Sequence, residues 1–149
     1  MKQVVCALIV NDGKLLITQH GMHSGHPFQW EFPGGKIKSG EQAELALIRE
    51  VYEELLIEVS IDLPLEPVIY QYPGKEINLM PFLCSWVSGE IQLMEHYDFR
   101  WIEPRSIFDY DMLPADFEML NRGDNLIRLL HYAREQTQNI IKQSTLAHN

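Results

Sequence analysis

The chain of 149 residues has little cysteine, lacks long apolar runs and is poor in basic residues. Its two cysteines, Cys6 and Cys84, each lie in an apolar stretch, which predicts buried thiols in a reducing compartment rather than a disulfide. The longest apolar stretches, 4–10 and 78–87, are too short to cross a bilayer. The first of them ends at a turn sequence, 11–13, which is typical of a hairpin and not of a signal peptide. These absences predict a cytoplasmic protein that has no membrane partner.

The basic residues are too few and too scattered to hold a long nucleic acid. The 12 lysines and arginines are outnumbered by 21 aspartates and glutamates, and the formal net charge is −9. Binding through a nucleic-acid backbone needs clustered Lys and Arg. A small polyanion remains compatible with this charge if metal ions supply positive charge locally; the alternative is that the acidity serves solubility alone.

Hydrophobic patterning and turn residues predict that strands come both before and after the first helix. Strands are predicted at 3–10, 14–20, 57–61, 67–72, 76–88 and 99–102, with a short extended piece at 30–37. Helices are predicted at 41–56 and about 124–142, and short helices begin at Pro104 and Pro114. This order predicts an α/β (α+β) fold, a mixed β-sheet packed between α-helices. We expect a single domain, residues 1–149, with a C-terminal helical extension from about residue 124.

The helix predicted at 41–56 has two different faces. Its apolar stripe, which should pack on the sheet, is formed by Leu47, Ile48, Val51 and Leu55. Glu50, Glu53 and Glu54 share an arc beside that stripe and repel one another by roughly 0.2–0.5 kcal/mol per pair. Arg49 is expected to neutralise only one of them, whereas a divalent cation such as Mg²⁺, which prefers oxygen ligands, would offset far more repulsion. The alternative is an ordinary solvated acidic face.

The segment before the helix favours the metal interpretation. Pro33, Gly34 and Gly35 allow the main chain to run close to a ligand or metal without side-chain obstruction. Lys36 follows at once and is placed to meet a phosphate. The sequence therefore predicts metals held between the protein and a diphosphate.

The spacing of these residues resembles the Nudix box. Gly35 is followed after five residues by Glu41, and after seven more by the segment 49–54, which reads Arg-Glu-Val-Tyr-Glu-Glu. The one departure is Leu56, which stands where the box has glycine, while Ile57 supplies the closing aliphatic residue. Glycine serves there as a left-handed helix cap, so we expect Leu56 to alter the turn between helix and strand without removing a metal ligand.

The resemblance extends from residue 4 to about residue 120 and is most similar to MutT-type members. Residues 30–37 resemble the segment that leads into the box in those enzymes, and 100–101 and 113–116 resemble later segments of MutT-type and CTP-hydrolysing members. MutT-type enzymes hydrolyse a nucleoside triphosphate to the monophosphate and pyrophosphate by attack at the β-phosphorus. The resemblance leaves the C-terminal helix unexplained.

The resemblance implies a set of metal-binding and catalytic residues. The implied ligands of Mg²⁺, for which Mn²⁺ can substitute, are Gly34 (through its carbonyl), Glu50, Glu53, Glu54 and Glu95. The implied catalytic residues are Glu50, Glu53, Arg49 and Glu95. Arg49 would orient Glu50, and Glu41 would steady the loop or bind metal through water. Glu95 stands where these enzymes place an acidic residue on a mobile loop, as a ligand or general base, and the alternative is a solvated loop glutamate.

The base preference stays open between an oxidised purine, such as 8-oxo-dGTP, and a cytosine-type nucleotide. Enzymes specialised for oxidised guanine carry Arg where this chain has His20 and Asn where it has Asp116, while relatives that prefer cytosine carry Asp. Ionised Asp only accepts hydrogen bonds, which slightly favours a cytosine amino group, but protonated Asp would also serve a purine. Phe32 or Tyr72 is a candidate to stack on the base, although strand aromatics are more often core. The implied substrate-binding residues are Lys36, Phe32, His20, Asp116 and Tyr72.

The histidines of the loop at 21–29 are interpreted as polar surface. His20, His23 and His26 have a spacing that suits a helical metal site, but Gly21, Gly25 and Pro27 oppose a helix here.

Two alternatives to a nucleotide-pool sanitising enzyme remain in view. One is a non-catalytic Nudix-like domain that senses nucleotides or regulates; the other is a Nudix enzyme for another nucleoside diphosphate derivative. Every box glutamate is present and the C-terminal extension is not basic, which favours the enzyme. Its expected partner is a small nucleotide, with no long nucleic acid, and the chain is expected to be a monomer or homodimer.

Overall fold

In a computed structural model, which describes residues 1–147, the strands join in one mixed sheet flanked by helices. The strands are β1 (Lys2–Asn11), β2 (Lys14–Gln19), β3 (Trp30–Glu31), β4 (Gly34–Lys36), β5 (Glu58–Pro64), β6 (Val68–Tyr72), β7 (Lys75–Ser88) and β8 (Asp98–Ile102). The helices are α1 (Ala43–Leu55), α2 (Pro114–Leu120), α3 (Asn125–Ala147) and a 3₁₀ helix (Pro104–Asp109). Each predicted element is found, with differences mainly at the ends: α1 begins two residues later than expected, and α3 continues to Ala147.

Strand β1 organises the sheet. It runs parallel to β7, from the pair Lys2 and Ile77 to the pair Val10 and Ser85, and antiparallel to β2 and β4. The hairpin between β1 and β2 turns at the predicted Asn-Asp-Gly sequence. Strands β5 and β6 pair antiparallel with β7, and β3 and β8 pair antiparallel with β2. The prediction of a mixed sheet is confirmed.

Alternate residues of β1 enter two separate cores because side chains alternate across a sheet. Leu8 belongs to the core beneath α2 and α3, whereas Ile9 belongs to the core beneath α1. Both are fully buried, which places the sheet between helical layers as expected. Cys6 and Cys84 are buried, free and in different cores, which confirms the prediction of two buried thiols.

Helix α1 presents a different stripe to the sheet from the one predicted. Its buried residues are Ala46, Leu47, Val51, Glu54 and Leu55. Ile48 was assigned to the core, and this is wrong: it is 37% exposed. The helix is rotated about its axis so that Glu54, 5% exposed, takes a buried position at the other edge of the stripe. This rotation brings a carboxylate into the interior.

Helix α1 ends in the left-handed conformation despite lacking the expected glycine. Leu56 has φ 56° and ψ 31°, and its N–H donates to the carbonyl of Tyr52 at 2.9 Å. The expectation that Leu56 alters this turn is therefore wrong. Leu56 keeps the left-handed turn. Because it has a Cβ, this conformation strains the backbone by about 1–2 kcal/mol.

The start and middle of α3 are tied to the rest of the fold by amide side chains. Asn125 is buried, accepts a hydrogen bond from the N–H of Glu66 at 2.8 Å and donates to the carbonyls of Glu66 and Met119 at 2.9 Å. Gln136 donates to the carbonyl of Val10 at 2.8 Å and accepts from Gly13 at 3.1 Å. Within residues 1–147, no helix is long and apolar enough to span a membrane.

Candidate active site

Two glycines let strand β4 lie against both β1 and α1. A Cβ at Gly34 would collide with the carbonyl of Val5, and one at Gly35 would collide with the carboxylate of Glu50. The carbonyl of Pro33 accepts a hydrogen bond from Ala7 at 2.8 Å, which fixes this segment beside β1. The glycine segment therefore lies in contact with the acidic face of α1, as the sequence predicts.

Arg49 joins the glycine segment to three glutamates. Its Nε and Nη2 donate to the two carboxylate oxygens of Glu41, both at 2.8 Å. Its Nη1 donates to Glu50 at 2.9 Å and to Glu53 at 3.2 Å, and Nη2 also donates to the carbonyl of Lys36 at 3.1 Å. A planar guanidinium carries five donors, so Arg49 contacts three carboxylates, but its single positive charge leaves most of their negative charge for another cation to offset. The hydrogen bonds from Arg49 to Glu41 are the largest cause of the lowered pKa of Glu41, which is about 2.

The three box glutamates lie at three depths. The side chain of Glu53 is 49% exposed and that of Glu50 is 18% exposed, while Glu54 is buried. Burial raises the pKa of Glu54 to about 9, and the charges of Glu31, Glu95 and Glu50 add to that effect. Burial also raises the pKa of Glu50, against the opposing hydrogen bond from Arg49.

Glu95 reaches the same acidic region from the loop between β7 and β8. The main chain of this loop is attached to the end of α1, because Gln92 donates to the carbonyl of Leu55 and Met94 to that of Glu54, both at 3.0 Å. Glu95 is exposed, and its charge contributes to the raised pKa of Glu50 and of Glu54. Glu95 therefore faces the box glutamates across a chain separation of about 40 residues.

These side chains fit a divalent cation. Oxygen Oε2 of Glu54 is buried and finds no hydrogen-bond partner within residues 1–147. Isolated buried carboxylate oxygens are costly, and a cation would satisfy this one together with Glu50. All the groups gathered here are oxygen donors, which suits Mg²⁺ or Mn²⁺.

A cavity of about 470 Å³ opens beside the glutamates. Its wall includes Gly34 and Gly35, and Gly35 also packs against the carboxylate of Glu50, so the glycine segment contacts both the cavity and the acidic cluster. Four of the five predicted substrate-binding residues also line it: His20, Phe32, Tyr72 and Asp116.

Asp116 is buried in the cavity wall at 5% exposure and is not a helix cap. The residue that caps α2 is Leu113, and α2 has no side-chain cap bond. Instead, Oδ2 of Asp116 accepts a hydrogen bond from the N–H of Phe32 at 2.9 Å. Burial, followed by the nearby charge of Glu31, raises the pKa of Asp116 well above its usual range. This direction favours the protonated alternative, in which Asp116 both donates and accepts a hydrogen bond.

The two candidate stacking aromatics differ in accessibility. Phe32 is 1% exposed and belongs to the core, so its main chain carries its link to Asp116. Tyr72 is partly exposed, its ring lies 5.4 Å from that of His26, and its hydroxyl accepts a hydrogen bond from Ala115 at 3.0 Å. Burial raises the pKa of Tyr72 to about 12. Tyr72 therefore presents the more accessible ring to the cavity.

Lys36 is exposed and lies outside the wall of this cavity. Its ammonium group and that of Lys75 lower the pKa of Lys2, which shows that these three lysines lie close to one another. Lys75 does line the cavity. In an acidic chain, this end of β1, β4 and β7 is a local basic region.

Two further residues of the site, Glu31 and His96, are assigned no role by the sequence motifs. Nε2 of His96 lies 3.2 Å from Oε2 of Glu31, and Nδ1 of His96 lies 3.9 Å from Oε2 of Glu54. His20 forms an ion pair with the same oxygen of Glu31. The pairing of β2 with β3 and β8 brings the three residues together. His96 could therefore be predicted from the sequence only if that strand pairing were known. His20 thus groups with Glu31 and His96 rather than with the three-histidine spacing of its loop.

Comparison with known proteins identifies the family. The NUDIX domain family matches residues 1–123. A CTP pyrophosphohydrolase of Escherichia coli is 34% identical over 120 residues, which cover 80% of this chain and 89% of that protein. A nucleoside triphosphatase, NudI, of Escherichia coli is 32% identical over 124 residues, covering 74% of this chain and 88% of that protein.

The fold also matches solved structures. The crystal structure of a MutT protein from Methanosarcina mazei superimposes with a TM-score of 0.72 at 26% identity, covering 86% of this chain and 91% of that one. Nudix hydrolases use divalent metal ions, in keeping with the oxygen donors gathered around Glu54. The chain therefore belongs to the NUDIX family of hydrolases.

Proposed function

We propose that this enzyme hydrolyses a nucleoside triphosphate to the monophosphate and pyrophosphate, and that a cytosine-type nucleotide is preferred. The observation that carries the proposal is the glycine segment, which packs against Glu50 and also lines a cavity whose wall includes Asp116. The relatives named CTP pyrophosphohydrolase and nucleoside triphosphatase support the same reaction.

The proposed metal is Mg²⁺, with Mn²⁺ able to replace it, held by Glu50, Glu53, Glu54, Glu95 and the carbonyl of Gly34. When bound, the cation offsets negative charge on the phosphate chain and makes a water more acidic. The unpartnered oxygen of Glu54 and the charges of Glu50 and Glu95, which both raise the pKa of Glu54, support this set. The half-exposed Glu53 completes it from the solvent side.

The proposed roles of the protein side chains are to orient the glutamates and to accept a proton from the attacking water. Arg49 holds Glu50 and Glu53 at fixed positions through one nitrogen, while Glu41 holds Arg49 through two bonds. Glu53 or Glu95, the two exposed carboxylates, removes the proton from the water that attacks the β-phosphorus. Lys36 receives the far end of the phosphate chain.

The proposed base site is the cavity wall formed by His20, Tyr72 and Asp116, with Phe32 supporting Asp116 through its main chain. Neutral Asp116 can donate to N3 of cytosine and accept from its amino group. Tyr72 offers a ring face. An oxidised purine such as 8-oxo-dGTP presents a different order of donors and acceptors and is the second candidate, since a neutral carboxyl is able to pair with it too.

The test is release of pyrophosphate from a panel of normal and oxidised nucleotides with Mg²⁺. We expect hydrolysis of at least one triphosphate, with the highest kcat/KM for a cytosine nucleotide, and no hydrolysis in excess EDTA. Full activity in EDTA would overturn the metal-dependent mechanism. Nucleotide binding without turnover on the whole panel would support a sensor instead, and turnover only of diphosphate derivatives would support a different Nudix specificity.

We further propose that residues 1–149 form a single domain in which the extension from about residue 124 secures the hairpin of β1 and β2. The hydrogen bonds of Gln136 with Val10 and Gly13 support this role, and Asn125 attaches the start of the extension to Glu66 and Met119. A nucleotide-pool sanitising enzyme of the cytoplasm, monomeric or homodimeric, is consistent with these features, and size-exclusion chromatography with light scattering distinguishes the two assemblies.

A further inference from the structure

We propose that His20, Glu31 and His96 form a second cation site, distinct from the box glutamates, that binds a transition-metal ion of the Zn²⁺ type. One ligand atom from each of the three residues lies within 4.8 Å of the others. Two imidazoles and one carboxylate are a donor set that Zn²⁺ selects and that Mg²⁺ does not, because Mg²⁺ prefers oxygen. The proposal is independent of the proposed function, since binding is measured without a nucleotide.

The three side chains are enclosed enough to form a defined site. The side chain of His96 is 6% exposed, and those of His20 and Glu31 are 21% and 22% exposed. His20, just after β2, and Glu31, on β3, line the cavity, and His96 lies beside them on the loop before β8, so an ion is able to enter from the cavity. A chain with a formal charge of −9 draws cations towards it.

The histidines are oriented as ligands usually are. Nδ1 of His20 lies 3.1 Å from the hydroxyl of Ser24, which directs Nε2 of His20 towards Glu31. Metal-binding histidines commonly use their second nitrogen in this way. Nε2 of His20 is paired with Oε2 of Glu31, and Nε2 of His96 lies 3.2 Å from the same oxygen, so both imidazoles present Nε2 to one carboxylate.

The alternative is a metal-free cluster in which Glu31 accepts hydrogen bonds from two imidazoles. The bond from His96 at 3.2 Å and the ion pair between Nε2 of His20 and Glu31 both fit this alternative, which leaves only Nδ1 of His96 without a hydrogen-bond partner among the three in the described part of the chain. The two interpretations differ in a measurable way, because only the metal site has an affinity for Zn²⁺ that persists when Mg²⁺ saturates the box glutamates.

The experiment titrates the metal-free protein with Zn²⁺ by calorimetry in millimolar Mg²⁺. We expect one Zn²⁺ per chain, with affinity lowered more than about 100-fold by His20→Gln or Glu31→Gln and about tenfold by Ser24→Ala, which removes the partner of Nδ1 of His20 and also the acceptor of the N–H of His26. His23→Gln is the matched control, because His23 is an exposed histidine of the same loop outside the cluster. It should bind Zn²⁺ as the wild type does.

A second measurement uses Co²⁺, whose visible absorption reports nitrogen and oxygen ligands in a low-coordinate site. We expect this absorption in the wild type and in Glu53→Gln, which alters the box alone, and its loss in Glu31→Gln. The proposal is overturned if the wild type does not bind Zn²⁺ in Mg²⁺, if His20→Gln binds as the wild type does, or if Glu53→Gln abolishes binding. His96→Gln is a further test, and since His96 is buried, the partly exposed His20 and Glu31 decide the question if that variant does not fold.

Discussion

Glu50, Glu53 and Glu54 carry the same chemical group but lie in three different environments. Glu54 is buried without a partner for one oxygen, Glu50 touches Gly35 and Arg49, and Glu53 is half-exposed with one bond from Arg49. The most exposed of them can be altered with the least effect on packing. Glu53 is therefore the best position at which to separate chemistry from stability.

Glu53→Gln should lower kcat by about 100-fold or more, the range expected for loss of a general base or metal ligand. The unfolding temperature in EDTA should stay the same or rise, because the change removes one charge from a repelling set. Steady-state kinetics and thermal melts of the same preparation measure both effects. Glu44→Gln, an exposed glutamate in the first turn of the same helix, should leave activity unchanged. A melted protein whose folded fraction keeps normal activity would make Glu53 structural.

At Asp116, burial affects which hydrogen-bond donors and acceptors the side chain offers to a nucleotide base. Asp116→Asn keeps a donor, an acceptor and the bond from Phe32, so the ratio of kcat/KM between CTP and 8-oxo-dGTP should change less than about threefold. Asp116→Leu removes all three and should change that ratio about tenfold or more, with a loss of about 1–3 kcal/mol of stability from the unpaired N–H of Phe32.

Parallel kinetics on the two nucleotides and denaturant unfolding measure these outcomes for Asp116. An unchanged ratio in Asp116→Leu would show that Asp116 does not read the base. A large change in Asp116→Asn would show that Asp116 is ionised when the nucleotide is bound.

At the scale of elements, helix α1 connects the glycine segment, the acidic cluster and the loop that carries Glu95. Its last carbonyls hold that loop through Gln92 and Met94. Its end depends on a left-handed leucine, Leu56. A single strained residue thus sets the direction in which the chain leaves the site.

Leu56→Gly and Leu56→Ala form a matched pair that measures this strain. Both remove the side chain, but only glycine relieves the left-handed backbone, so Leu56→Gly should be more stable than Leu56→Ala by about 0.5–1 kcal/mol after the entropy cost of glycine. Urea unfolding of the two variants gives the difference directly. If the alanine variant is equally stable or more stable, the turn is not left-handed in solution.

At the scale of the whole molecule, ionisation of the buried carboxyl groups of the site destabilises the fold when no cation is bound. The folded pKa of Glu54, about 9, lies above the ordinary carboxyl value of 4.5. The contribution of such a group to stability is therefore complete below about pH 4.5 and is lost as the pH rises towards 9. Buried Asp116, whose pKa is also raised, acts in the same direction.

The unfolding temperature in EDTA should therefore fall between pH 5 and pH 9, and Glu54→Gln should make this fall smaller by removing the titrating group. Adding Mg²⁺ to the wild type should restore stability at the alkaline end, since the cation favours ionised Glu54. Scanning fluorimetry over this pH range measures both effects, with Glu44→Gln as the control. Identical slopes for Glu54→Gln and the wild type would contradict the burial of Glu54.

Much of the architecture follows from local sequence patterns. Alternation along β1, the Asn-Asp-Gly turn and the prolines that begin the 3₁₀ helix and α2 are signals within a few residues of the structure that they specify. The box residues that gather around Arg49 lie on one helix and the segment just before it, so fixed spacing brings them together. Family membership could be predicted for the same reason.

The sequence by itself determined the order of elements, the two-faced helix α1 and the identity of the glutamates, because these depend on periodicity and spacing. The tertiary structure alone decided that α1 buries Glu54 and exposes Ile48, that Asp116 is buried and bonded to the N–H of Phe32, and that His96 meets Glu31. Helix rotation, burial and contacts between distant segments depend on how the elements pack. No local pattern carries that information, since a carboxylate acquires its protonation state from the atoms that surround it.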